Sequence, residues 1–461
     1  MIPLPSPLQE LVEHLSKHGV MPVLVGGFVR DFFTGHKTLD LDIELYGSND
    51  PETVEALLQP FGKVNAVGKS FGVLKLTYEG YHIDFSPPRL ETKNGTGHKG
   101  FDITCLETID YAEAARRRDF TINSIGYDPL SKTFLDPYGG IEDIRRKRLA
   151  CVDPSTFVED PLRVLRAVQF AARFDLSCDP NLIELCRLMV ADGALGELPK
   201  ERIFEELKKL FLLSPRPSIG LKLLKEIEAL PFFTPLDRFE STFQDPDSHP
   251  ENDVWSHILM CIDEMAMRRS GDAKRDLALM YAALLHDIAK PFTTLIENGK
   301  LNAPRHAEEG VPIAREWLDR ITGDKSLIDA ILPLVRYHGW PRKLFRNQAP
   351  DSDILRLSRH VCIEDLILVA EADFFGRLFT GPRPETFEAG EWLYRQAERL
   401  GVLRKPLPPL LMGRDLIGLG LAPSETFKNI LESAYDAQLN GEFSTHQEAL
   451  EWTKKHLVTE L

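Results

Sequence analysis

Apolar and polar residues alternate without a break over a short segment near the start of the chain. One face carries Leu39, Leu41, Ile43 and Leu45, and the other carries Asp40, Asp42 and Glu44. This period of two predicts a half-buried strand on which Asp40 and Asp42 project side by side, roughly 6–7 Å apart. Two carboxylates at that spacing suit a hard cation such as Mg²⁺, although the same pattern also fits a strand with an acidic solvent face.

The residues before this strand predict a second strand, a tight turn and a helix. The apolar run VMPVLV, residues 20–25, is typical of a buried strand, and it leads into Gly26 and Gly27. The following FVRDFF has the character of the first turns of a helix. A glycine turn at a helix N-terminus leaves backbone N–H groups free to bind phosphate, and Arg30 can add bidentate contacts. A phosphate cradle beside a metal-binding strand is what phosphoryl or nucleotidyl transfer requires.

The hydrophobic periodicity changes along the chain. The first ~145 residues mix helix and strand patterns, including a hairpin pattern at residues 124–140. From about Val152 onward, apolar residues recur at intervals of three, four and seven, as in VEDPLRVLRAVQFAARF. These patterns predict an α+β fold, with a mixed sheet and helices first and an all-helical body after it.

Composition narrows the class of protein. The chain has 461 residues, enough for about three domains, and its longest apolar run, LALMYAALL, is too short to span a membrane. The N-terminus has no basic segment of the kind found in signal peptides, so we expect a cytoplasmic protein. Six cysteines without any C-x-x-C pair argue against a zinc finger or a disulfide framework.

Charge is distributed unevenly. The formal net charge is −15, which on its own argues against nucleic-acid binding. Basic residues nevertheless concentrate at residues 116–118, 145–148 and 163–173. These runs predict either a local positive groove on an acidic body or ordinary solvated faces.

The segment RRRDFTINS is a second candidate site. Arg118 would contact phosphate, and Asp119 and Asn123, one helical turn apart, would reach a ribose. A 2′-hydroxyl both donates and accepts hydrogen bonds, so an Asp/Asn pair suits it. The same segment also fits the basic end of an ordinary helix.

The segment EDPLRVLR is a third candidate site. Asp160, Arg163 and Arg166 are spaced three apart, along one face of a predicted helix. Cytosine and adenine each present an amino donor next to a ring-nitrogen acceptor, so a fixed carboxylate beside a fixed guanidinium fits them and opposes uracil and guanine. Asp160 and Pro161 are equally consistent with a plain helix N-terminus.

Histidines and aspartates recur through the predicted helices of the second half. The set is His257, His286, Asp287, His306, His338 and Asp373. Imidazoles and carboxylates together suit Mn, Ni, Co or Fe, whereas any one of these histidines alone would more often be structural.

The order and spacing of several motifs resemble those of the class II tRNA nucleotidyltransferases, or CCA-adding enzymes, and the related bacterial poly(A) polymerases. The motifs are LVGGFVRD, LDLDIE, RRDFTINS, LDPYGG and EDPLRVLRAVQFAARF. The resemblance implies a polymerase-β-like head followed by a helical neck, body and tail. It implies nucleotide contacts at Gly26, Gly27, Arg30 and Arg118, Mg²⁺ ligands at Asp40 and Asp42, and a protein template at Asp160 and Arg163 with Arg166 beside them. Asp84, on YHIDF, is a candidate third carboxylate.

The resemblance also implies domain boundaries. We expect the head at 1–145, the neck at 146–232, a linker at 233–252, an HD domain at 253–400 and an RNA-contacting tail at 401–461. The histidine and aspartate set resembles the HD superfamily of metallophosphohydrolases, with His257, His286, Asp287 and Asp373 as metal ligands and His306 and His338 as auxiliary residues. In HD-bearing CCA enzymes this domain is associated with phosphatase, 2′-nucleotidase and 2′,3′-cyclic phosphodiesterase activity, which would need a metal such as Ni²⁺ or Mn²⁺.

These implications predict an enzyme that adds C, C and A to tRNA 3′ ends from CTP and ATP, acting as a monomer or homodimer. A poly(A) polymerase is the nearest alternative, disfavoured because the chain lacks a long basic tail and VGKSFGVLKL lacks an arginine-rich form. The segment RLETKNGTGHKGF resembles the flexible loop of the CCA enzymes and disfavours CC-only addition, while A-only addition stays open. A phosphohydrolase with an RNA-binding head is an alternative of another class, opposed by Asp40 and Asp42, because a binding module needs no metal carboxylates.

Overall fold

The computed structural model describes residues 1–36, 38–47, 50–67, 73–93, 101–105 and 109–456. These residues form two units, Met1–Asp237 and Arg238–Leu461. Two parts of the segments interpreted above lie outside the described residues. They are residues 94–100 of RLETKNGTGHKGF and residues 68–72 of VGKSFGVLKL. None of the helices that the structure describes is both long enough and apolar enough to cross a bilayer.

Among its described residues, the first unit contains a mixed sheet and two smaller strand pairs, β6-β7 and β10-β11. Its strands are β1 (Met21–Val25), β2 (Asp40–Tyr46), β3 (Val64–Val67), β4 (Val73–Tyr78), β5 (Tyr81–Ser86), β6 (Arg89–Lys93), β7 (Phe101–Cys105), β8 (Gly126–Asp128), β9 (Thr133–Leu135), β10 (Arg148–Leu149) and β11 (Ser177–Cys178). In the described residues the large sheet has the order β3-β4-β5-β2-β1-β8-β9. Only β2 and β5 pair in parallel within it, and their register sets Asp42 opposite Asp84. β1 runs antiparallel to β2 and sets Val25 opposite Asp42.

Helices pack around this sheet and then continue the unit. They are α1 (Ser6–Lys17), α2 (Gly27–Thr34), α3 (Pro51–Leu58), α4 (Tyr111–Ala115), α5 (Gly140–Arg145), α6 (Pro154–Phe157), α7 (Leu162–Phe174), α8 (Pro180–Ala191), α9 (Lys200–Leu213) and α10 (Ser218–Glu226). Short 3₁₀ helices lie at Gln59–Phe61, Thr121–Asn123, Ala194–Glu197, Leu230–Phe233 and Leu236–Arg238.

The predicted alternation holds along β2. Leu41, Ile43 and Leu45 are buried in the core of the first unit, while Asp42 lies on the opposite face. The prediction fails for Leu39, which is 59% exposed because the strand begins one residue later. The apolar face of β2 therefore anchors the strand, and Asp40 and Asp42 stay exposed on the other face, whereas Glu44 on that face is buried.

The second unit is built almost entirely of helices. They are α11 (Val254–Ala266), α12 (Ala273–Leu285), α13 (Lys290–Thr293), α14 (His306–Ile321), α15 (Lys325–Tyr337), α16 (Trp340–Arg346), α17 (Asp351–Ser358), α18 (Ile363–Phe375), α19 (Glu388–Arg399), α20 (Gly413–Gly418), α21 (Thr426–Leu439) and α22 (His446–His456). A hairpin of β12 (Leu295–Glu297) and β13 (Lys300–Asn302) interrupts them. Among the described residues, the regular structure after residue 152 is thus helical apart from this hairpin and β11.

The segment expected to be a linker, residues 233–252, is largely folded. The division between the two units, after Asp237, falls inside it. Phe239 is fully buried and Glu251 is 9% exposed, both within the second unit. Its polar and proline-bearing composition therefore belongs to packed, irregular backbone.

Candidate functional site

A cavity of about 460 Å³ lies in the first unit, where β1 ends and β2 begins. Its lining includes Val25, Gly26, Gly27, Arg30, Asp42, Glu44, Val73, Asp84, Ser86, Arg89, Arg117, Arg118, Asp119, Asn123, Asp160, Arg163 and Arg166. The cavity thus gathers all the residues predicted to bind nucleotide, from three separate sequence motifs. Asp40 lies two residues before Asp42 on the same face of β2. Its side chain is exposed, and it is not among the described residues that line the cavity.

The turn after β1 brings backbone close to a carboxylate. Gly26 has φ +68°, a left-handed conformation that favours glycine. A Cβ atom at Gly26 would lie 3.1 Å from Asp42 Oδ2 and 3.6 Å from an Arg118 guanidinium nitrogen. Glycine is therefore required here both by the backbone conformation and by the space.

Asp42 and Asp84 are register partners on adjacent parallel strands, and both line the cavity. Loss of water contact raises the pKa of Asp42, and repulsion from neighbouring carboxylates, chiefly Asp84, opposes the pull of Arg118. Lys75 Nζ lies 2.6 Å from Asp84 Oδ2. Carboxylates that repel each other in a partly desolvated cavity are the donor set that Mg²⁺ prefers, so the residues present fit that ion.

Arg118 is held by a buried glutamate that sequence reasoning did not assign to the site. Glu44 is 1% exposed and accepts a 2.7 Å hydrogen bond from Arg118 and one of 3.1 Å from the Tyr46 hydroxyl. Arg118 also donates to the main-chain oxygen of Asn123 at 3.0 Å. Burial works against the charge of Arg118, but Glu44, together with Tyr111 and Asp42, outweighs burial and raises the pKa of Arg118. Glu44 lies on the same polar face of the alternating pattern as Asp40 and Asp42. That position was the one feature of the sequence that could have indicated its role.

A hydrogen-bonded chain links Arg30 to Arg166. Arg30, 5% exposed, donates to Asp31 Oδ1 and to Asn123 Oδ1, the latter at 2.8 Å. The Asn123 amide donates to Asp119 Oδ1 at 2.9 Å, and Arg166 donates to Asp119 Oδ2 at 2.7 Å. Asp119 and Asn123 are therefore joined directly, but not across a helical turn as predicted, because Phe120 between them is extended and Asn123 ends a short 3₁₀ helix. In this structure both pair with arginines.

Aromatic rings complete the setting of Arg30. Its guanidinium carbon lies 4.6 Å from the Phe174 ring centre and 5.2 Å from that of Phe170. Such stacking stabilises a cation that is withdrawn from water. Phe170 and Phe174 are positioning residues that the motif around Arg30 did not reveal, because their contact with Arg30 depends on how α7 packs.

The predicted base-reading pair lies where α7 begins. Asp160 Oδ1 accepts from the backbone N–H of Leu162 at 3.0 Å. Arg163 donates to the main-chain oxygens of Thr156 at 2.7 Å and Arg117 at 2.5 Å. Asp160 therefore caps the helix as well as lining the cavity, and backbone carbonyls fix the Arg163 guanidinium in one orientation.

The second unit gathers the predicted histidines and aspartates around one buried centre. Each of four histidines has its Nδ1 atom next to an acceptor, so that a neutral ring presents the lone pair of Nε2. The acceptors are Ala283 O for His286, Ala303 O for His306, Val335 O for His338 and a Glu251 carboxylate oxygen for His257. Glu251 is a contact that sequence reasoning missed.

Asp287 divides its two oxygens between two groups of histidines. Oδ2 lies 3.3 Å from His286 Nε2 and 3.8 Å from His257 Nε2. Oδ1 lies 3.4 Å from His306 Nε2 and 4.0 Å from His338 Nε2. His306 and His338 therefore face the centre directly, although the resemblance implied only an auxiliary role for them.

Asp373 contacts the first histidine group, His257 and His286. Its Oδ1 atom lies 3.2 Å from His257 Nε2 and 4.0 Å from His286 Nε2. Arg342 donates to its other oxygen at 2.9 Å. Asp373 thus joins helix α18 to the histidines of the centre.

The polar atoms at this centre fit a metal. His286 Nε2 is buried and lacks a hydrogen-bond partner among the described residues. The Nε2 atoms of His306 and His338 are 3.2 Å apart, although both rings use Nδ1 as the donor to a backbone carbonyl. Burial, together with the neighbouring histidines, lowers the pKa of His338 to about 3, which keeps that ring neutral as a ligand must be. Converging neutral imidazoles and carboxylates are the donor set of a transition-metal site.

Three protein-family models match the chain. They are the poly A polymerase head domain over residues 23–150, the probable RNA and SrmB-binding site of polymerase A over residues 177–236, and the HD domain over residues 255–373. The head match contains the glycine turn and the carboxylate strand, and the HD match contains all six predicted histidines and aspartates.

Solved structures share the fold. The CCA-adding enzyme of Bacillus stearothermophilus in complex with CTP has a TM-score of 0.69 at 22% identity, covering 99% of each chain. The CCA-adding enzyme of Thermotoga maritima complexed with tRNA has a TM-score of 0.59 at 20% identity, covering 98% of this chain and 96% of that chain. Fold and cavity together define a polymerase-β-like nucleotidyltransferase that carries an HD domain.

Curated relatives fix the family. The multifunctional CCA protein of Xylella fastidiosa (strain 9a5c) is 32% identical over 383 residues, which are 81% of this chain and 87% of that protein. That of Stenotrophomonas maltophilia (strain R551-3) is 34% identical over 417 residues, 87% and 96% of the two chains. The chain belongs to the family of multifunctional CCA proteins.

Proposed function

We propose that this chain adds C, C and A to tRNA 3′ ends from CTP and ATP in the cavity of the first unit. Its family membership supports the activity. The observation that carries the site is the meeting of three motifs in one cavity: the turn at Gly26, the carboxylates Asp42 and Asp84, and the pair Asp160 and Arg163. We keep the predicted tRNA-contacting role for the tail at 401–461 and a cytoplasmic location, where these substrates occur.

The chain's own residues would position the reacting groups. The turn at Gly26 and Gly27 lets a triphosphate approach the backbone closely, and Arg118 supplies a fixed positive charge beside it. Mg²⁺ held by Asp42, with Asp40 and Asp84 as further candidate ligands, would lower the pKa of the terminal ribose hydroxyl and stabilise the departing pyrophosphate.

Base choice would come from the protein. Asp160 keeps a carboxylate oxygen at the cavity to accept from an amino group, and Arg163 offers a guanidinium to a ring-nitrogen acceptor. Asp119 and Asn123 would meet the ribose only if a nucleotide displaces part of their pairing with arginine. No nucleic-acid template is needed when the reading groups are held this firmly.

Incubation with three tRNA substrates tests the proposal. Transcripts ending before CCA, after one C and after CC would each be supplied with one labelled nucleotide at a time. We expect CTP to extend the first two and ATP to extend only the third, with growth stopping after A. Unlimited ATP addition would indicate a poly(A) polymerase, and ATP addition to the CC transcript without CTP use on the others would indicate an A-adding enzyme.

We propose a second activity, metal-dependent phosphohydrolysis, at the centre formed by the histidines. The position of Asp287 between two histidine groups supports it, because imidazoles and carboxylates gathered in this way would hold a divalent metal that activates water. We expect hydrolysis of nucleoside 2′,3′-cyclic phosphates with Ni²⁺ or Mn²⁺. Absence of hydrolysis with Ni²⁺, Mn²⁺, Co²⁺ and Mg²⁺ in turn would make the centre structural.

A further inference from the structure

A thiol lies inside the group of metal-ligating atoms in the second unit. Cys261 follows His257 by one turn of α11, and its Sγ atom is 3.3 Å from His257 Nε2. Four ligand atoms lie within 4.8 Å of one another, one each from His257, Cys261, His286 and Asp373. Residues four apart on a helix can hold one ion together, as the histidines of H-E-x-x-H do.

The fold leaves room for this sulfur. Cys261 is fully buried, and the backbone of Gly376 packs directly against it. A Cβ atom at Gly376 would lie 2.5 Å from Sγ, so any larger residue there would displace the thiol. Its nearest polar contact outside the histidine group is a 3.7 Å approach to the main-chain oxygen of Gly376.

The distances suit coordination. Ligands at roughly 2.0–2.3 Å from a tetrahedral ion lie about 3.3–3.6 Å from each other. His257 Nε2 lies 3.3 Å from Cys261 Sγ and 3.2 Å from Asp373 Oδ1, close to these ligand–ligand distances. The unpartnered Nε2 atom of His286, which is buried, completes the same group and marks it independently as a ligand site.

We infer that Cys261 is a thiolate ligand of the ion held by His257, His286 and Asp373, which makes this site selective for thiophilic metals such as Co²⁺ and Zn²⁺ over Mg²⁺. The inference rests on the proposed metal centre of the phosphohydrolase. On binding, the S–H bond breaks, the proton passes to solvent and a sulfur–metal bond forms. Softer thiolate ligands favour late first-row metals, whereas carboxylate and water favour Mg²⁺.

Cobalt substitution gives a readout that is independent of activity. The full-length protein, stripped of metal and loaded with Co²⁺ alone, should show a sulfur-to-cobalt charge-transfer band in the near ultraviolet. Cys261→Ser, which keeps the size of the side chain, should still fold and bind Co²⁺ but lose that band, and its affinity for Zn²⁺ should fall at least tenfold.

Cys186→Ser is the matched control, because Cys186 is a buried thiol in the first unit. It should keep the charge-transfer band, and melting curves would confirm that both variants fold. Cobalt bound by wild type without this band, or with a band that survives Cys261→Ser, would overturn the thiolate inference and leave the phosphohydrolase centre standing. Failure of wild type to bind Co²⁺ or Zn²⁺ would also overturn the thiolate inference, and failure to bind Ni²⁺ and Mn²⁺ as well would overturn both proposals.

Discussion

Gly26 and Asp42 lie so close that one added methyl group would stand 3.1 Å from a carboxylate oxygen. The contact arises because β1 ends at Val25, opposite Asp42, and the chain turns at once into α2. The turn and the carboxylate therefore form one structural unit, and a change in the first should alter the second.

Gly26→Ala should lower nucleotide addition by more than about tenfold, since small displacements of a reacting geometry are costly. Gly35→Ala is the matched control, because Gly35 also has a left-handed φ of +75° but nothing within 4 Å of an added Cβ. Gly35→Ala should lose about 1–2 kcal/mol of unfolding free energy through strain at its αL position, and Gly26→Ala should lose at least as much, because its ψ of −134° lies outside that region. Equal losses of addition by the two variants would show that the Asp42 contact is irrelevant.

Asp42→Asn should abolish addition and yet stabilise the metal-free fold. We expect addition to fall by more than about 100-fold, as when other groups that stabilise transition-state charge are removed. Asp192→Asn, at an exposed position in the same unit, should leave it unchanged. Addition of CTP to tRNA and thermal melting are the two measurements, and retained addition would exclude Asp42 as a metal ligand.

The stabilisation should depend on pH. Because the fold raises the pKa of Asp42 above its ordinary 3.8, the folded state binds this proton more tightly than the unfolded chain. The carboxylate therefore costs stability as the pH rises above that value and costs none well below it. The Tm advantage of Asp42→Asn should appear near neutral pH, vanish in acid, and be reversed by Mg²⁺, which only wild type would bind well.

Asn123→Ala should weaken both the fold and the nucleotide site. The change removes the acceptor of Arg30 and a donor to Asp119, leaving buried polar groups unpaired at a cost of about 1–3 kcal/mol. KM for CTP and ATP should rise because the arginines lose their fixed positions. Asn181→Ala, at an exposed position, is the control, and denaturant unfolding with steady-state kinetics would show whether the two variants differ.

Features that depend on residues close together in the chain could be predicted from the sequence, and features that depend on distant residues could not. The strand with Asp42 and the turn at Gly26 depend on residues a few positions apart, so alternation and glycine placement were enough to predict them. The pairing of Glu44 with Arg118 spans 74 residues and depends on how α4 returns to the sheet. No local pattern contains that information.

The second unit shows the same limit. The spacing and helical context of the histidines and aspartates indicated a shared centre, and the structure brings all six together. Cys261 has no second cysteine at C-x-x-C spacing, and its partner is instead His257, four residues earlier on α11. The hairpin of β12 and β13 was missed because its residues are almost all exposed, so no apolar alternation marks its strands.

His338→Ala should eliminate metal-dependent hydrolysis and leave CCA addition within about twofold of wild type. The reason is that His338 lies in the centre of the second unit, whereas the addition cavity is lined by the first. His360→Ala, at an exposed position, should affect neither activity. Parallel assays of 2′,3′-cyclic phosphate hydrolysis and CTP addition to tRNA test this. A large loss of addition in His338→Ala would contradict the assignment of the two activities to separate sites.

Base selection by Asp160 and Arg163 is the central claim about mechanism. A site built for one hydrogen-bonding edge rejects the wrong base mainly because its own polar groups stay unpaired, and each good bidentate contact is worth about 1–3 kcal/mol. Replacing both residues by alanine removes that penalty together with the attraction. The Glu184→Ala/Arg187→Ala variant is the control, since this pair has the same spacing and forms an ion pair on the exposed side of α8.

The most direct test is kcat/KM for all four nucleoside triphosphates on tRNA ending before CCA and on tRNA ending in CC. Wild type and the Glu184/Arg187 control should prefer CTP on the first substrate and ATP on the second, and should reject UTP and GTP. The Asp160→Ala/Arg163→Ala variant should be slower and should use UTP and GTP nearly as well as CTP and ATP. A variant that is slow but still discriminates as sharply as wild type would contradict base selection by these two residues.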